Sequence, residues 1–379
     1  MPEPVNNPYL RLEVDLSAIA ANLAALRRRL PAGGRVAAVV KADAYGHGLV
    51  PVARRLLAEG VEALAVATWP EGRVLRAAGI AAPVLVMLGC QPHEAAEVVS
   101  LDLTPVVARP ACLQALAAAA AGQGKTARCQ LKVDTGMGRL GLAPAEVPGL
   151  LRQAAALPSL EITGLVSHLA EGGDPASRHA GRQGARLAGL LAELRDQGHR
   201  LADSSLCGTG GLLVPPWPGE PAAGLHRLGI GLYGGRPHDN APAEAGLITA
   251  MRLTSRLIQV RPLAAGGGVS YGRTWIAPRD TLLGAVPVGY SDGYPRAASN
   301  RGVMLVAGRP APIRGRVCMN LTMIDLGHLD PPPRAGEPVV LLGSQGSQAI
   351  DLDQLAGWGG TIGYDLACSL GRANPRHYL

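Results

Sequence analysis

Phenylalanine is absent from the 379 residues, and Trp and Tyr together make up only 3% of the chain. Aliphatic side chains must therefore fill the core of a sequence that is 47% hydrophobic, which is too apolar for a disordered chain. Cysteine is present but unpaired in pattern. Cys90, Cys112, Cys129, Cys207, Cys318 and Cys368 form no C-x-x-C motif and lie far apart, which argues against a disulfide framework or a metal site and for reduced thiols in a cytoplasmic protein. No apolar run is long enough to span a bilayer, and the opening "MPEPVNNPYL" is not an export signal, so no membrane association is expected. The net charge of +7 is carried by scattered arginines without interleaved aromatics, which speaks against nucleic-acid binding. The longest basic run, Arg27 to Arg29, reads as a solvated helix face. Lysine is scarcest of the charges: of 36 basic residues only Lys41, Lys125 and Lys132 are lysine.

What the chain does have is a series of short apolar runs suited to buried parallel strands. They begin at Arg35, Ala63, Val84, Thr104, Arg128, Ile162, Leu201 and Leu225, with helical periodicity between most of them, as in "LVPVARRLLAEG". Eight strand and helix units in succession indicate a (β/α)8 barrel, a TIM barrel, preceded by a helix from "SAIAANLAALRRRL" with Ser17 as its N-cap. After residue 240 the texture changes to β-rich runs broken by Gly and Pro, such as "TLLGAVPVGY" and "PVVLLGS". This second half reads as a mainly antiparallel β domain closed by a helix and tail. The expected domains are residues 1–240 and 241–379, with "HDNAPAEAG" (238–246) as linker and the first residues available to pair with the second domain.

In such a barrel, chemistry belongs at the C-terminal ends of the strands. Lys41 closes the first strand in "AAVVKADAYGHG", in a chain that otherwise writes positive charge as arginine. Arginine cannot shed its proton to attack a carbonyl, so a site that needs a nucleophilic amine must use lysine. Lys132 ends the fifth strand, while Lys125 lies in a polar loop and reads as solvated. Gly136, Gly138 and Gly141 have the spacing G-x-G-x-x-G, but on the fifth strand instead of the first and with bulky Arg139 inside, so a dinucleotide fingerprint is disfavoured. His168 ends the sixth strand, Ser204 the seventh, and Arg227 lies in the eighth before "LGIGLYG". Lone histidines and serines are usually structural, but their joint occurrence at successive strand ends is harder to dismiss. Bare backbone after strand eight suits a phosphate, and together with an amine these features suggest pyridoxal phosphate held as a Schiff base, with no metal.

The ordered motifs "AVVKADAYGHG", "KVDTGMGRLG", "GVSYG", "VGYSDGYPR", "GRVCMN" and "TIGYD" resemble those of alanine racemases over essentially the whole chain. The resemblance implies a fold-type III pyridoxal 5′-phosphate enzyme, a homodimer with shared active sites, that interconverts L- and D-alanine and supplies D-alanine for peptidoglycan. It assigns Lys41 as the cofactor lysine and one base, and Tyr271 of a second copy as the other, since racemisation needs groups on both faces of the reacting carbon. It places Arg227 at the pyridine nitrogen with His168 beside it, and Tyr45, Ser204, Gly229, Ile230 and Tyr364 around the phosphate. Arg139 and the Met319 backbone would bind the substrate carboxylate, with Arg139 also facing the cofactor phenolate. Tyr290, Arg296, Arg316, Ile362 and Tyr364 would form the channel, and Lys132 matches a position that some members carry as a carbamate.

The sequence departs from the family pattern at Asp203, Asn320 and Gly363. By that resemblance Asp203 adds a negative charge near the phosphate, and Asn320 bears on the channel or the dimer contact. None of the three removes a catalytic group. The rival readings are a broader amino-acid racemase also acting on serine, a fold-type III decarboxylase, a nicotinamide oxidoreductase, and a non-catalytic cofactor carrier.

Overall fold

A short strand, Arg11–Val14 (β1), leads into the helix Leu16–Arg27 in the computed structural model, which describes residues 7–214, 224–237 and 246–379. The expected linker, apart from Gly246, and the expected boundary after residue 240 lie outside the described residues. The helix cap is Asp15, not Ser17: its carboxylate accepts the backbone N–H groups of Ser17 (2.8 Å) and Ala18 (3.0 Å). Ser17 already lies inside the first turn, and the Asp15 carboxylate also meets the positive end of the helix dipole.

Seven parallel strands follow, alternating with helices: Arg35–Val39 (β2), Ala63–Val66 (β3), Val84–Val86 (β4), Thr104–Val107 (β5), Ala127–Lys132 (β6), Leu160–Val166 (β7) and Leu225–Leu228 (β8). Their order is β7-β6-β5-β4-β3-β2-β8. Residues 203–207 occupy the gap between β7 and β8, too irregular to form a strand but bonded to both neighbours. On one side Asp203 N–H donates to the Thr163 carbonyl (3.0 Å) and Ser205 N–H to Leu165 (2.8 Å). On the other, Leu225 N–H donates to Ser204 (3.3 Å) and Arg227 N–H to Cys207 (3.3 Å). Parallel bridges Val166 to Ser205 and Gly208 to Arg227 complete the ring, so eight backbone staves surround the barrel axis. The interior strands β3 and β4 are buried along their whole length, which is why they read as continuous apolar runs.

The remaining strands are Met251–Arg256 (β9), Gln259–Leu263 (β10), Gly268–Val269 (β11), Trp275–Ile276 (β12), Thr281–Val286 (β13), Val303–Val306 (β14), Arg309–Pro312 (β15), Thr322–Asp325 (β16), Pro338–Gln345 (β17), Gln348–Ile350 (β18) and Arg376–Tyr378 (β19). They form one sheet in the order β15-β14-β17-β9-β1-β19 with β18 on β17, a second of β10-β13-β16, and the ribbon β11-β12. Pairing is antiparallel except between β1 and β19, where Leu12 stands opposite Arg376. The chain end is thus a strand added after the closing helix Gly363–Ala373, not a loose tail. Buried Asn22 bolts the first helix to the later chain: its side-chain amide donates to the carbonyls of Leu232 (3.1 Å) and Ile248 (2.8 Å) and accepts from Ile248 N–H (2.7 Å). One aliphatic cluster runs through both halves, with Tyr233 and Tyr294 as its largest fully buried side chains. Among the described residues no helix is long and apolar enough to cross a membrane.

Ring closure depends on Gly164, where a Cβ would lie 2.5 Å from the Asp203 carbonyl carbon. Gly164→Val is expected to destabilise the fold by about 3 kcal/mol or more, because backbone cannot yield as a side chain does. Chemical denaturation with an unchanged midpoint would refute this account of closure.

Candidate active site

Strand β2 ends at Val39, and two residues later Lys41 enters a turn of unusual hand. Ala42, Asp43, Ala44 and Tyr45 have φ of 53°, 55°, 53° and 54°, four consecutive non-glycine residues in the left-handed region. Each such residue costs roughly 1–2 kcal/mol in helical geometry, so the surroundings must impose the turn. Glu71 grips it from the barrel side: its carboxylate accepts N–H groups from Ala42 (2.6 Å), Ala67 (2.7 Å) and Thr68 (3.1 Å). Below the turn, fully buried His47 places Nδ1 3.0 Å from the Ala44 carbonyl and stacks 4.5 Å from the Tyr233 ring.

Lys41 opens into a cavity of about 700 Å³ at the C-terminal mouth of the barrel. The same cavity is lined by Tyr45, Lys132, Arg139, His168, Thr209, Arg227, Gly229, Ile230 and Tyr364. Arg227 forms its floor, with one guanidinium nitrogen donating to the carbonyls of Ser167 (2.6 Å) and Leu206 (3.2 Å) and lying 3.4 Å from His168 Nδ1. Burial, and after it the charge on Arg227, pushes His168 down to about 3, so its ring is neutral at ordinary pH. Burial pushes the Lys132 amine down to about 7, helped by Arg227 and Arg139. Burial followed by Arg139 also holds Lys41 below the usual lysine range. Desolvation among fixed positive charges therefore weakens the hold of both lysines on their protons.

Thr209 and the backbone at Gly229 form one rim: the threonine hydroxyl accepts the Gly229 N–H (3.0 Å), and a Cβ on Gly229 would lie 2.7 Å from the Tyr45 hydroxyl. Tyr45 packs 4.9 Å from the Tyr233 ring and 5.8 Å from that of Tyr364. Ser204, expected here, is not. Its hydroxyl lies inside the barrel wall, donating to the Leu201 carbonyl (2.7 Å) and accepting from Leu165 N–H (3.0 Å). Asp203 likewise points away from any phosphate and pairs with Arg35 at the start of β2 (2.8 Å), the opposite end of the barrel. The residue that reaches the cavity is Thr209, five positions on, at the start of the helix Thr209–Leu213. Its signal in the sequence was the glycine frame of "CGTGG" after the seventh stave, a bare backbone around one hydroxyl.

The glycine-rich segment is also explained. The Asp134 carboxylate accepts N–H groups from Gly136 (2.8 Å), Met137 (2.7 Å) and Gly138 (2.9 Å), so these donors serve the loop itself and not a dinucleotide. At Gly363 a Cβ would lie 2.7 Å from an Asp353 carboxylate oxygen, which accounts for glycine before Tyr364.

Tyr271, Tyr290, Arg296, Arg316, Met319 and Ile362 do not line the cavity, and all are exposed. Tyr271 stands 72% exposed on a tight turn between β11 and β12, where Ser270, Gly272 and Arg273 have φ of 61°, 70° and 44°. Ser270 ties this turn to the Arg316 carbonyl (2.7 Å), and Tyr290 N–H bonds the Cys318 carbonyl (3.1 Å) next to Met319. Asn320 donates to Ser291 Oγ (2.7 Å), which in turn donates to the Met319 carbonyl (2.8 Å). Apart from Ser204, the expected site residues thus fall into two groups, one in the barrel mouth and one exposed in the second half. Among the described residues no cluster of three or more His, Cys, Asp or Glu could hold a metal ion.

Two family models match consecutive parts of the chain: alanine racemase, N-terminal domain, over residues 14–237, and alanine racemase, C-terminal domain, over residues 250–378. The alanine racemase of Symbiobacterium thermophilum is 40% identical over 366 residues, covering 97% of this chain and 96% of that protein. Among solved structures, the alanine racemase of the D-cycloserine producer Streptomyces lavendulae superposes with a TM-score of 0.90 at 35% identity, covering 98% and 97% of the two chains. The enzyme of Bartonella henselae, solved with covalently bound pyridoxal phosphate, gives 0.87 at 27% identity over 98% of this chain and 100% of that one.

Burial pushes His47 down to about 4, below its unfolded value near 6.5. Between those pH values the unfolded chain binds the extra proton, so acidification from 6.5 to 4 removes roughly 3 kcal/mol of stability through this residue. His47→Asn is expected to flatten the fall in melting temperature across that window. A fall as steep as in the parent chain would refute the assignment.

Proposed function

The chain belongs to the alanine racemase family, and we propose that it interconverts L- and D-alanine with pyridoxal 5′-phosphate, as a homodimer in which each site draws on both copies. The observation that carries this reading is the amine of Lys41, partly desolvated in a 700 Å³ cavity that also holds a fixed guanidinium and a rim of hydroxyls and bare backbone. That donor set fits a phosphorylated pyridine aldehyde: an amine for the aldehyde, Arg227 for the ring nitrogen, and Tyr45, Thr209, Tyr364 and the Gly229–Ile230 backbone for the phosphate. Bound there, the cofactor supplies an electron sink that acidifies the hydrogen on the substrate Cα.

The protein's own part is proton handling and orientation. Lys41 Nζ takes or returns the Cα proton on one face, and the hydroxyl of Tyr271 from a second copy does so on the other. The exposure of Tyr271 and its absence from the cavity of its own chain support a role in a neighbouring copy. Arg227, whose guanidinium offers only donors, would donate a hydrogen bond to the ring nitrogen without protonating it. Neutral His168 holds that guanidinium in place without adding charge. Arg139 binds the substrate carboxylate, helped by the Met319 backbone of the second copy. Lys132, neutral in part near pH 7, is able to add carbon dioxide and release one proton to solvent, and the resulting carbamate anion would orient Arg139. Tyr290, Arg296 and Arg316 of the second copy, with Ile362 and Tyr364, narrow the channel toward a methyl-sized side chain. Free thiols at all six cysteines suit a reducing, cytoplasmic setting.

Purified protein is expected to be yellow, with a visible band abolished by borohydride and missing from Lys41→Ala, and to racemise alanine. Mixing Lys41→Ala with Tyr271→Phe under subunit exchange should then restore activity to about a quarter of the parent, since a two-fold hybrid regains one intact site of two. A colourless protein, or no recovery on mixing, contradicts the proposal. For the phosphate rim, Thr209→Val should weaken cofactor affinity about tenfold, the scale of one lost hydrogen bond to a charged group, while Ser204→Ala leaves it unchanged. Equilibrium dialysis that ranks the two variants the other way would return the role to Ser204.

A further inference from the structure

We propose that Arg376 in the last strand and Asp43 in the left-handed turn form a positioning clamp through which the end of the chain aims the Lys41 amine into the cavity. The proposal rests on Lys41 being the cofactor lysine. Arg376 Nη1 donates to the Asp43 carboxylate and to the Gly46 carbonyl (3.1 Å), so one guanidinium holds the turn at two points. The second Asp43 oxygen accepts Leu49 N–H (2.6 Å), and the Asp43 carbonyl accepts Gly48 N–H (2.9 Å). Asp43 thereby joins the turn, the following helix and the chain terminus.

The terminus is itself anchored. Strand β19 pairs with β1 through Leu12 to Arg376 and Val14 to Tyr378, and Leu379 N–H donates to the Val14 carbonyl (3.0 Å). The closing helix presses on the same turn, so tightly that a Cβ on Gly46 would lie 2.3 Å from the Ala367 carbonyl oxygen, and a Cβ on Gly48 would collide with the Tyr378 hydroxyl. Glu71 holds the barrel side of the turn and Arg376 the other, with Lys41 immediately before it.

A partly exposed ion pair of this kind adds little to global stability; the Asp43 side chain is about half exposed. Its position on a strained turn next to the reacting amine gives it a different effect. Left-handed L residues persist only where contacts over-determine them, and releasing one grip lets the turn relax and carry Nζ off its line. Arg376 and Asp43 touch neither substrate nor cofactor and act only through Lys41.

The test uses the full chain as apoprotein and two probes. Pyridoxamine 5′-phosphate has no aldehyde and reports only on pocket affinity. Pyridoxal 5′-phosphate reports on capture, in which the Lys41 nitrogen bonds to the aldehyde carbon and one water is lost; the product is fixed by borohydride and located by peptide mass. With lysine only at positions 41, 125 and 132, the assignment is unambiguous. Arg376→Ala is expected to slow capture at Lys41 about hundredfold, the scale of a misplaced reacting group, with pyridoxamine phosphate affinity within about twofold of the parent. Arg376→Lys should fall between, millimolar guanidinium should restore much of the rate to Arg376→Ala, and Asp43→Asn, which tolerates the turn, should slow capture while folding normally. Unchanged capture in Arg376→Ala and Asp43→Asn, equal losses with both probes, or no recovery with guanidinium overturns the clamp alone. A parent chain that captures nothing at Lys41 overturns both the clamp and the functional reading beneath it.

Discussion

Four L residues held left-handed directly after Lys41 are the constraint around which the molecule is organised. Local bonds such as Gly48 N–H to the Asp43 carbonyl close the turn, but its left-handed geometry is costly for L residues, so it also depends on tertiary contacts. Glu71 reaches it from the second helical unit of the barrel, Tyr233 stacks beneath it from beyond strand eight, and the closing helix and last strand press on it from the second half. The two halves of the chain are therefore not independent carriers of function. The second half completes the surroundings of the amine in its own copy and, in our reading, lends Tyr271 to another.

The second organising feature is positive charge fixed around groups that must be neutral. Arg227 and Arg139 stand near Lys41, Lys132 and His168, and burial sharpens their effect. Arginine is suited to the part because it stays charged when desolvated, whereas lysine yields its proton under the same conditions. The near absence of lysine elsewhere has a matching structural outcome: two of the three line the cavity, and Lys125 spends its amine on the Val99 and Ser100 carbonyls (both 3.1 Å).

Much of this was legible in advance. Continuous apolar runs marked the parallel strands because both of their faces are buried, and Lys41 stood out because it closes such a run in a chain that otherwise writes positive charge as arginine. Where the reading failed, the failure was local. Ser204 matched a motif by letter, but a stave that closes a barrel alternates between wall and interior, and its hydroxyl turned into the wall while Thr209 reached the cavity. The G-x-G-x-x-G spacing was real, yet Asp134 two residues before it consumed the amides. Asp15 displaced Ser17 as the helix cap by a shift of two residues, a distance that propensity does not resolve.

By itself the sequence determined the order of elements, the barrel class, the change of texture after residue 240 and the chemical types at the strand ends, because burial and nucleophilicity are properties of single residues and their spacing. Only the tertiary structure decided the hand of the turn after Lys41, the pairing of β1 with β9 and β19, and which hydroxyl faces the cavity. It also decided that Tyr271 lies away from the amine of its own chain. Those outcomes depend on contacts between residues as far apart as Asp43 and Arg376, and such contacts leave no periodicity in the sequence.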